Sequence, residues 1–96
     1  MNAFFSSLGK RWAEAAQRRG AKIDEPALDG DLANEILELA RVVSHTQERR
    51  FAPLATFTAG VAAERLRASK GSLDPGVAVG FVREVRESLE REAPLP

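Results

Sequence analysis

The sequence lacks cysteine and tyrosine, and it contains a single histidine and a single tryptophan among 96 residues. Without cysteine there is no disulfide, zinc-thiolate centre or redox pair, and small secreted domains usually depend on such links. Net charge is absent as well, because 14 basic side chains balance 14 acidic ones. This balance argues against a nucleic-acid partner, since such affinity depends on an excess of Lys and Arg. It also leaves little repulsion between copies, which permits a homo-oligomer.

Long apolar runs are missing too. No run approaches the roughly 20 residues that cross a bilayer, and Phe4 and Phe5 form the only bulky apolar pair before Lys10 and Arg11. We therefore expect no signal peptide, no membrane partner and a cytoplasmic location. The remaining composition, 44% hydrophobic and 29% charged, is that of an ordinary globular chain with room for one thin core.

Glycine and proline divide the chain into four segments of helical length and helical period. We predict helices from about Ala3 to Arg19, from Asp29 or Asp31 to about Arg49, from Pro53 to about Gly71, and from Asp74-Pro75 onwards. No alternation typical of strands competes with them. The sequence thus predicts an all-α fold, a compact single-domain bundle of four helices over residues 1–92 with a tail at 93–96.

Three features predict how these helices pack. Trp12 and the phenylalanines on the helical stripes are predicted core residues. Gly60 lies in the middle of the third helix at a cost of about 1 kcal/mol relative to alanine, which indicates close helix–helix contact there. On the fourth helix, oppositely charged residues four apart predict a solvent-exposed face; the pairs are Arg83–Glu87, Arg86–Glu90 and Glu87–Arg91.

The side chains most suited to binding a ligand or partner surround the break between the second and third helices. Arg41, His45 and Arg49 are spaced by four and therefore share one side of the predicted second helix. They indicate either a site for an anion or partner with a proton-sensitive histidine, or an ordinary surface row near a helix C-terminus. Phe51, in the predicted linker, either closes the end of the bundle or anchors a partner. Thr56 completes this set of candidate ligand- or partner-binding residues.

No catalytic centre emerges from the sequence. Ser44 beside His45 does not form a dyad, because adjacent helical residues point in different directions. The acidic cluster at residues 24–31 lacks the ligand pattern of a calcium loop, and one histidine without cysteine does not make a zinc site. We therefore predict that the chain is not an enzyme and that it holds no metal and no cofactor.

Several short motifs in the second and third segments match a known pattern. They are Leu39-Ala40-Arg41, His45, Arg49, Ala52-Pro53-Leu54, Thr56-Phe57 and Gly60-Val61-Ala62-Ala63, with Trp12 matching an early tryptophan. These motifs resemble a small uncharacterised helical family found mainly in actinobacteria, although Arg50 and Phe51 stand where its members tend to have proline and alanine. Members are often associated with, or fused to, molybdenum cofactor guanylyltransferase. The resemblance therefore implies an accessory role in the maturation of that cofactor.

Three hypotheses follow from these observations. The leading one is a non-enzymatic helical module that binds another protein. The alternative is a binder of a small anionic ligand, held by Arg41, His45 and Arg49 over the start of the third helix, where free N–H groups favour anions. The least favoured is a nucleic-acid binder that uses Arg18-Arg19 and Arg49-Arg50, because the net charge is zero.

Overall fold

The computed structural model describes residues 2–92 and contains four α-helices: α1 (Ala3–Arg18), α2 (Gly30–Thr46), α3 (Phe51–Lys70) and α4 (Pro75–Glu90). No strand occurs among the described residues, so the predicted all-α class with four helices is confirmed. Contacts between Cα atoms divide the chain into two units, one ending at Gly30 and the other beginning at Asp31. The single domain over residues 1–92 stays a prediction, and the predicted tail lies outside the described residues.

The helix ends follow from local chemistry. The side-chain oxygen of Asn2 accepts a hydrogen bond from the Phe5 N–H in the first turn of α1, at 3.2 Å. That of Asp74 accepts one from the Gly76 N–H in the first turn of α4, at 2.8 Å. Gly20 and Gly71 have φ angles of 79° and 83°, a left-handed conformation that side chains disfavour, and they let the chain leave α1 and α3. The predicted start and stop signals at Asp74, Gly20 and Gly71 are confirmed.

Two predicted helix boundaries are wrong. The second helix ends at Thr46 rather than near Arg49, and the third begins at Phe51 rather than at Pro53. The N–H groups of Phe51 and of the next residue donate to the carbonyls of Glu48 and Arg49, at 3.0 and 3.1 Å, and close the first turn ahead of the proline. Pro53 is tolerated at the third helical position because first-turn N–H groups have no partner within the helix.

The unit that ends at Gly30 consists of α1 and the irregular segment that follows it. Gly9 is the buried residue of α1, and a Cβ atom there would lie 2.5 Å from the Pro26 carbonyl oxygen. The segment therefore rests on α1 at its one position without a side chain. Phe4 and Trp12 are 65% and 56% exposed, so their predicted place in the core is wrong. The residues that rest on Gly9 are not a second helix, and they cover only part of the apolar stripe.

The unit that begins at Asp31 has a small aliphatic core. Its central cluster consists of Leu39, Val43, Ala52 and Val82, from α2, α3 and α4. Phenylalanine contributes little, because Phe57 is 72% exposed and Phe81 is only half-buried. The predicted core position is therefore wrong for Phe57. On α3 the residues that face the cluster are alanines, whereas Leu54 and Phe57 are exposed.

Gly60 does not mark a close contact between helices. A Cβ atom built on Gly60 meets no atom within 4 Å. The explanation predicted from the sequence is therefore wrong, and the glycine costs helix stability without a packing gain in the described residues.

Candidate functional site

Arg41 and His45 lie one turn apart on α2, and both are exposed. The Arg41 guanidinium lies 2.9 Å from the Glu38 carboxylate and 4.0 Å from that of Glu90 on α4. The His45 side chain forms no hydrogen bond or ion pair with any residue between 2 and 92. Arg41 is thus engaged within the protein, whereas the imidazole of His45 is available to a partner.

Arg49 does not extend the row of Arg41 and His45. The last turn of α2 ends at Thr46, whose hydroxyl donates to the Val42 carbonyl at 2.9 Å, and Arg49 lies in the turn that follows. The predicted alignment of the three cationic residues on one helix face is therefore wrong for Arg49. Its guanidinium is exposed and forms no ion pair within the described part of the chain.

Phe51 is the first residue of α3 and not part of a linker. Its ring is 38% exposed, and the Arg50 guanidinium lies 5.7 Å from the ring centroid, within the range of a cation–π interaction. Glu48 holds Arg50 through an ion pair of 2.6 Å. The ring is therefore oriented at the start of α3 while part of it stays open to solvent.

The first three residues of α3 offer no free N–H group to an anion. The first two N–H groups, of Phe51 and Ala52, already donate to the carbonyls of Glu48 and Arg49, and Pro53 has none. Thr56 is half-buried, and its hydroxyl donates to the Pro53 carbonyl at 3.0 Å. The anionic-ligand alternative therefore has no backbone donor at the first three residues of α3, and Thr56 contributes no free donor hydrogen.

Two exposed apolar residues on α3 were not predicted as site residues. Leu54 and Phe57 are 63% and 72% exposed, and spacings of three bring Phe51, Leu54 and Phe57 into one continuous row on the helix surface. We call this row, together with Arg49 and with His45 at the end of α2, the junction surface. The sequence signal for this surface is that large apolar residues of α3 lie on more than one side of the helix.

An ion network between α2 and α4 was also missed. Glu35 is 6% exposed, and its carboxylate accepts hydrogen bonds from Nε of Arg86 at 2.5 Å and Nε of Arg83 at 3.4 Å. The hydrogen bonds that Arg86 donates to Glu35 and then to Glu90 raise the pKa of its guanidinium, so this group stays charged. The network is therefore a structural ion network that links α2 to α4. It contains no side chain that is free to bind or react with a ligand.

The network corrects the predicted solvated face of α4. The Arg86–Glu90 pair forms as predicted, but the Arg86 side chain is only 15% exposed. Its guanidinium points towards the buried Glu35 of α2 rather than towards bulk water. Neither Arg83–Glu87 nor Glu87–Arg91 forms an ion pair among the described residues. A charged residue in an i, i+4 pair therefore contributes to packing between helices when a neighbouring helix supplies its counter-ion.

The described residues contain no group of three or more His, Asp or Glu side chains that could hold a metal ion. None of the helices described is long and apolar enough to cross a bilayer.

A family model described as a domain of unknown function (DUF6457) matches residues 6–94. Because this match spans most of the chain, the protein belongs to that family, and the predicted resemblance to an uncharacterised family is confirmed to that extent. No curated protein and no solved structure matches the chain.

Proposed function

We propose, with membership of this family as the premise, that the chain is a non-enzymatic helical module that binds another protein through the junction surface. The observation that carries the proposal is the row of Phe51, Leu54 and Phe57, because the last two side chains are 63% and 72% exposed. Contiguous apolar surface of this kind on a small domain is typical of a protein-binding site. Aromatic residues on such a surface are favoured anchors for a partner.

The partner that this surface fits is an amphipathic helix with an acidic polar face. A row of side chains spaced by three along α3 suits the apolar stripe of a second helix laid against it. His45 and Arg49 precede this row in the chain, are exposed and have no counter-ions among the described residues. They would attract carboxylates of the partner. Arg50 is already paired with Glu48, and Arg41 with Glu38, so these two arginines are secondary.

The biological setting of the proposal comes from the resemblance. We propose that the partner belongs to the machinery that matures the molybdenum cofactor, as in the actinobacterial family whose members are associated with the guanylyltransferase. A cytoplasmic location would agree with that setting. The geometry of the junction surface supports binding to a protein and does not depend on this setting.

The experiment uses fluorescently labelled synthetic helices of about 20 residues, long enough to be helical when bound. All carry the same leucine stripe, and their polar faces are acidic, neutral or basic. Anisotropy titrations of the full chain should show the tightest binding for the acidic helix. Phe57→Ser should weaken it by about 2 kcal/mol, or roughly thirtyfold, as expected for an anchor residue.

Matched variants separate binding from folding. Phe57 is exposed, so Phe57→Ser should change the free energy of unfolding by no more than about 0.5 kcal/mol. His45→Ala combined with Arg49→Ala should weaken binding of the acidic helix and bring its affinity close to that of the neutral helix. The melting temperature of the chain should stay nearly unchanged. Equal binding of all three helices, or a large loss of stability in these variants, would contradict the proposal.

A further inference from the structure

A second apolar feature lies in the unit that begins at Asp31, and none of the residues that line it belongs to the junction surface. It is a groove of about 260 Å³ between α3 and α4, and the core residues Leu39 of α2 and Val82 of α4 also line it. The α3 wall consists mainly of small side chains and the α4 wall of larger ones, chiefly Ala55, Ala59 and Ala62 opposite Phe81, Val85 and Leu89. Thr58 is the polar residue of the lining, and its hydroxyl donates to the Ala55 carbonyl at 2.7 Å. The groove therefore offers almost purely apolar contact.

We propose that this groove is the interface of a homodimer, in which α3 and α4 of one copy pack on α4 and α3 of a second copy. The alanine wall of α3 leaves room for the larger side chains of α4 from across the interface, as alternating small and large residues do in packed helices. Val85 lines the groove and is 48% exposed, and Val77, about two turns earlier on the same side of α4, is also 48% exposed. A second copy would bury both.

The size of the face suits a second copy of this chain. Sixteen residues of α4 extend about 24 Å, and two helices packed side by side present a face about 20 Å wide. The face thus measures roughly 500 Å² per copy and roughly 1,000 Å² in total, near the lower limit of specific interfaces. A small apolar ligand fits less well, because the groove lacks the convergent polar groups that orient such ligands. We expect a weak dimer whose Kd is in the micromolar range.

The charges beside the groove are complementary under two-fold symmetry. Arg65 lies one helical turn from Ala62 on α3, and Glu84 lies one turn from Phe81 on α4. Both are exposed, and neither forms an ion pair within residues 2–92. A two-fold axis parallel to the helices would place α3 of one copy over α4 of the other. Each Arg65 would then lie on the same side of the interface as Glu84 of the second copy. The chain has no net charge to oppose this association.

Sedimentation velocity on the full chain tests the interface. The natural sequence should change from monomer to dimer between low and high micromolar concentration. Val85→Arg should weaken the dimer at least about tenfold, because the charge would be buried in the interface. Its melting temperature at low concentration should match that of the natural sequence, since Val85 is half exposed in the single copy. Phe57→Arg, outside the groove, is the control and should dimerise normally.

A charge exchange tests the symmetry. Arg65→Glu and Glu84→Arg should each weaken the dimer, and the two together should restore it. A chain that stays monomeric at high micromolar concentration would overturn the proposal. Dimers that survive Val85→Arg but are lost in Phe57→Arg would overturn it too, since the interface would then lie at the junction surface. Because Val85→Arg should still bind the acidic helix, failure of this proposal is distinguishable from failure of the proposed function.

Discussion

Replacing Glu35 by alanine should lower the free energy of unfolding by about 3 kcal/mol. Glu35 is 6% exposed and accepts a hydrogen bond of 2.5 Å from Nε of Arg86. A charge-assisted hydrogen bond contributes about 1.5–3 kcal/mol, and each buried methylene adds about 0.8 kcal/mol. The substitution also removes the desolvation cost of the buried carboxylate, which offsets part of that sum. The bond to Arg83, at 3.4 Å, adds little because that side chain is 51% exposed.

The assay is urea unfolding followed by helical circular dichroism. For a chain of this size, about 3 kcal/mol corresponds to a fall of roughly 12–24 °C in melting temperature. Glu38→Ala is the matched control, since Glu38 lies one turn along α2 and pairs with Arg41 while both side chains are about half exposed. That control should cost no more than about 0.5 kcal/mol.

A second measurement identifies the partner of Glu35. In a background of Arg86→Met, the same Glu35→Ala change should cost clearly less, because the buried carboxylate would already lack its main counter-ion. If Glu35→Ala costs as little as Glu38→Ala, then Glu35 is not buried against α4 in solution. An ion network that links α2 to α4 through Glu35 would then be refuted.

Two further predictions concern backbone packing and pH. Gly9→Ala should destabilise α1 although alanine is the better helix former, because its Cβ would lie 2.5 Å from the Pro26 carbonyl oxygen; Gly60→Ala, which meets no atom, should instead stabilise by about 1 kcal/mol. Thermal melts of both variants check this, and a stabilising Gly9→Ala would contradict it. The hydrogen bond from Arg67 lowers the pKa of Glu64, so the pair stabilises α3 above the ordinary carboxyl pKa and loses that effect as pH falls through the lowered value. Because both side chains are about half exposed or more, Glu64→Gln should lower the melting temperature slightly near neutral pH and not at about pH 2; an equal effect at both values would contradict it.

Helix class was predictable because its signals are local. Asp74-Pro75 caps α4 and Gly71 ends α3, and both signals depend on a few neighbouring residues. The start of α3 was less predictable, since two hydrogen bonds to the Glu48 and Arg49 carbonyls form a turn ahead of Pro53. A proline marks where a helix is allowed to begin and does not prevent an earlier start.

The candidate site stays a prediction, and the sequence indicated only part of the junction surface. Spacing and motifs indicated residues from Arg41 to Thr56, of which His45 and Arg49 are exposed. The exposed apolar row was not identified, because Leu54 and Phe57 belong to apolar periodicities that equally describe a buried stripe. Which apolar stripe is buried depends on which helix covers it, and that information lies far away in the chain.

By itself, the sequence determined four helices, most of their ends, and the absence of thiol chemistry and of net charge. These properties depend on composition, on capping and on period, all of which act within a few residues. Only the tertiary structure decided that Glu35 is buried against Arg86, that Gly9 and not Gly60 is a point of close approach, and that Phe57 faces solvent. Each of these depends on a contact between residues far apart in sequence, or on the lack of one, and no local pattern encodes it.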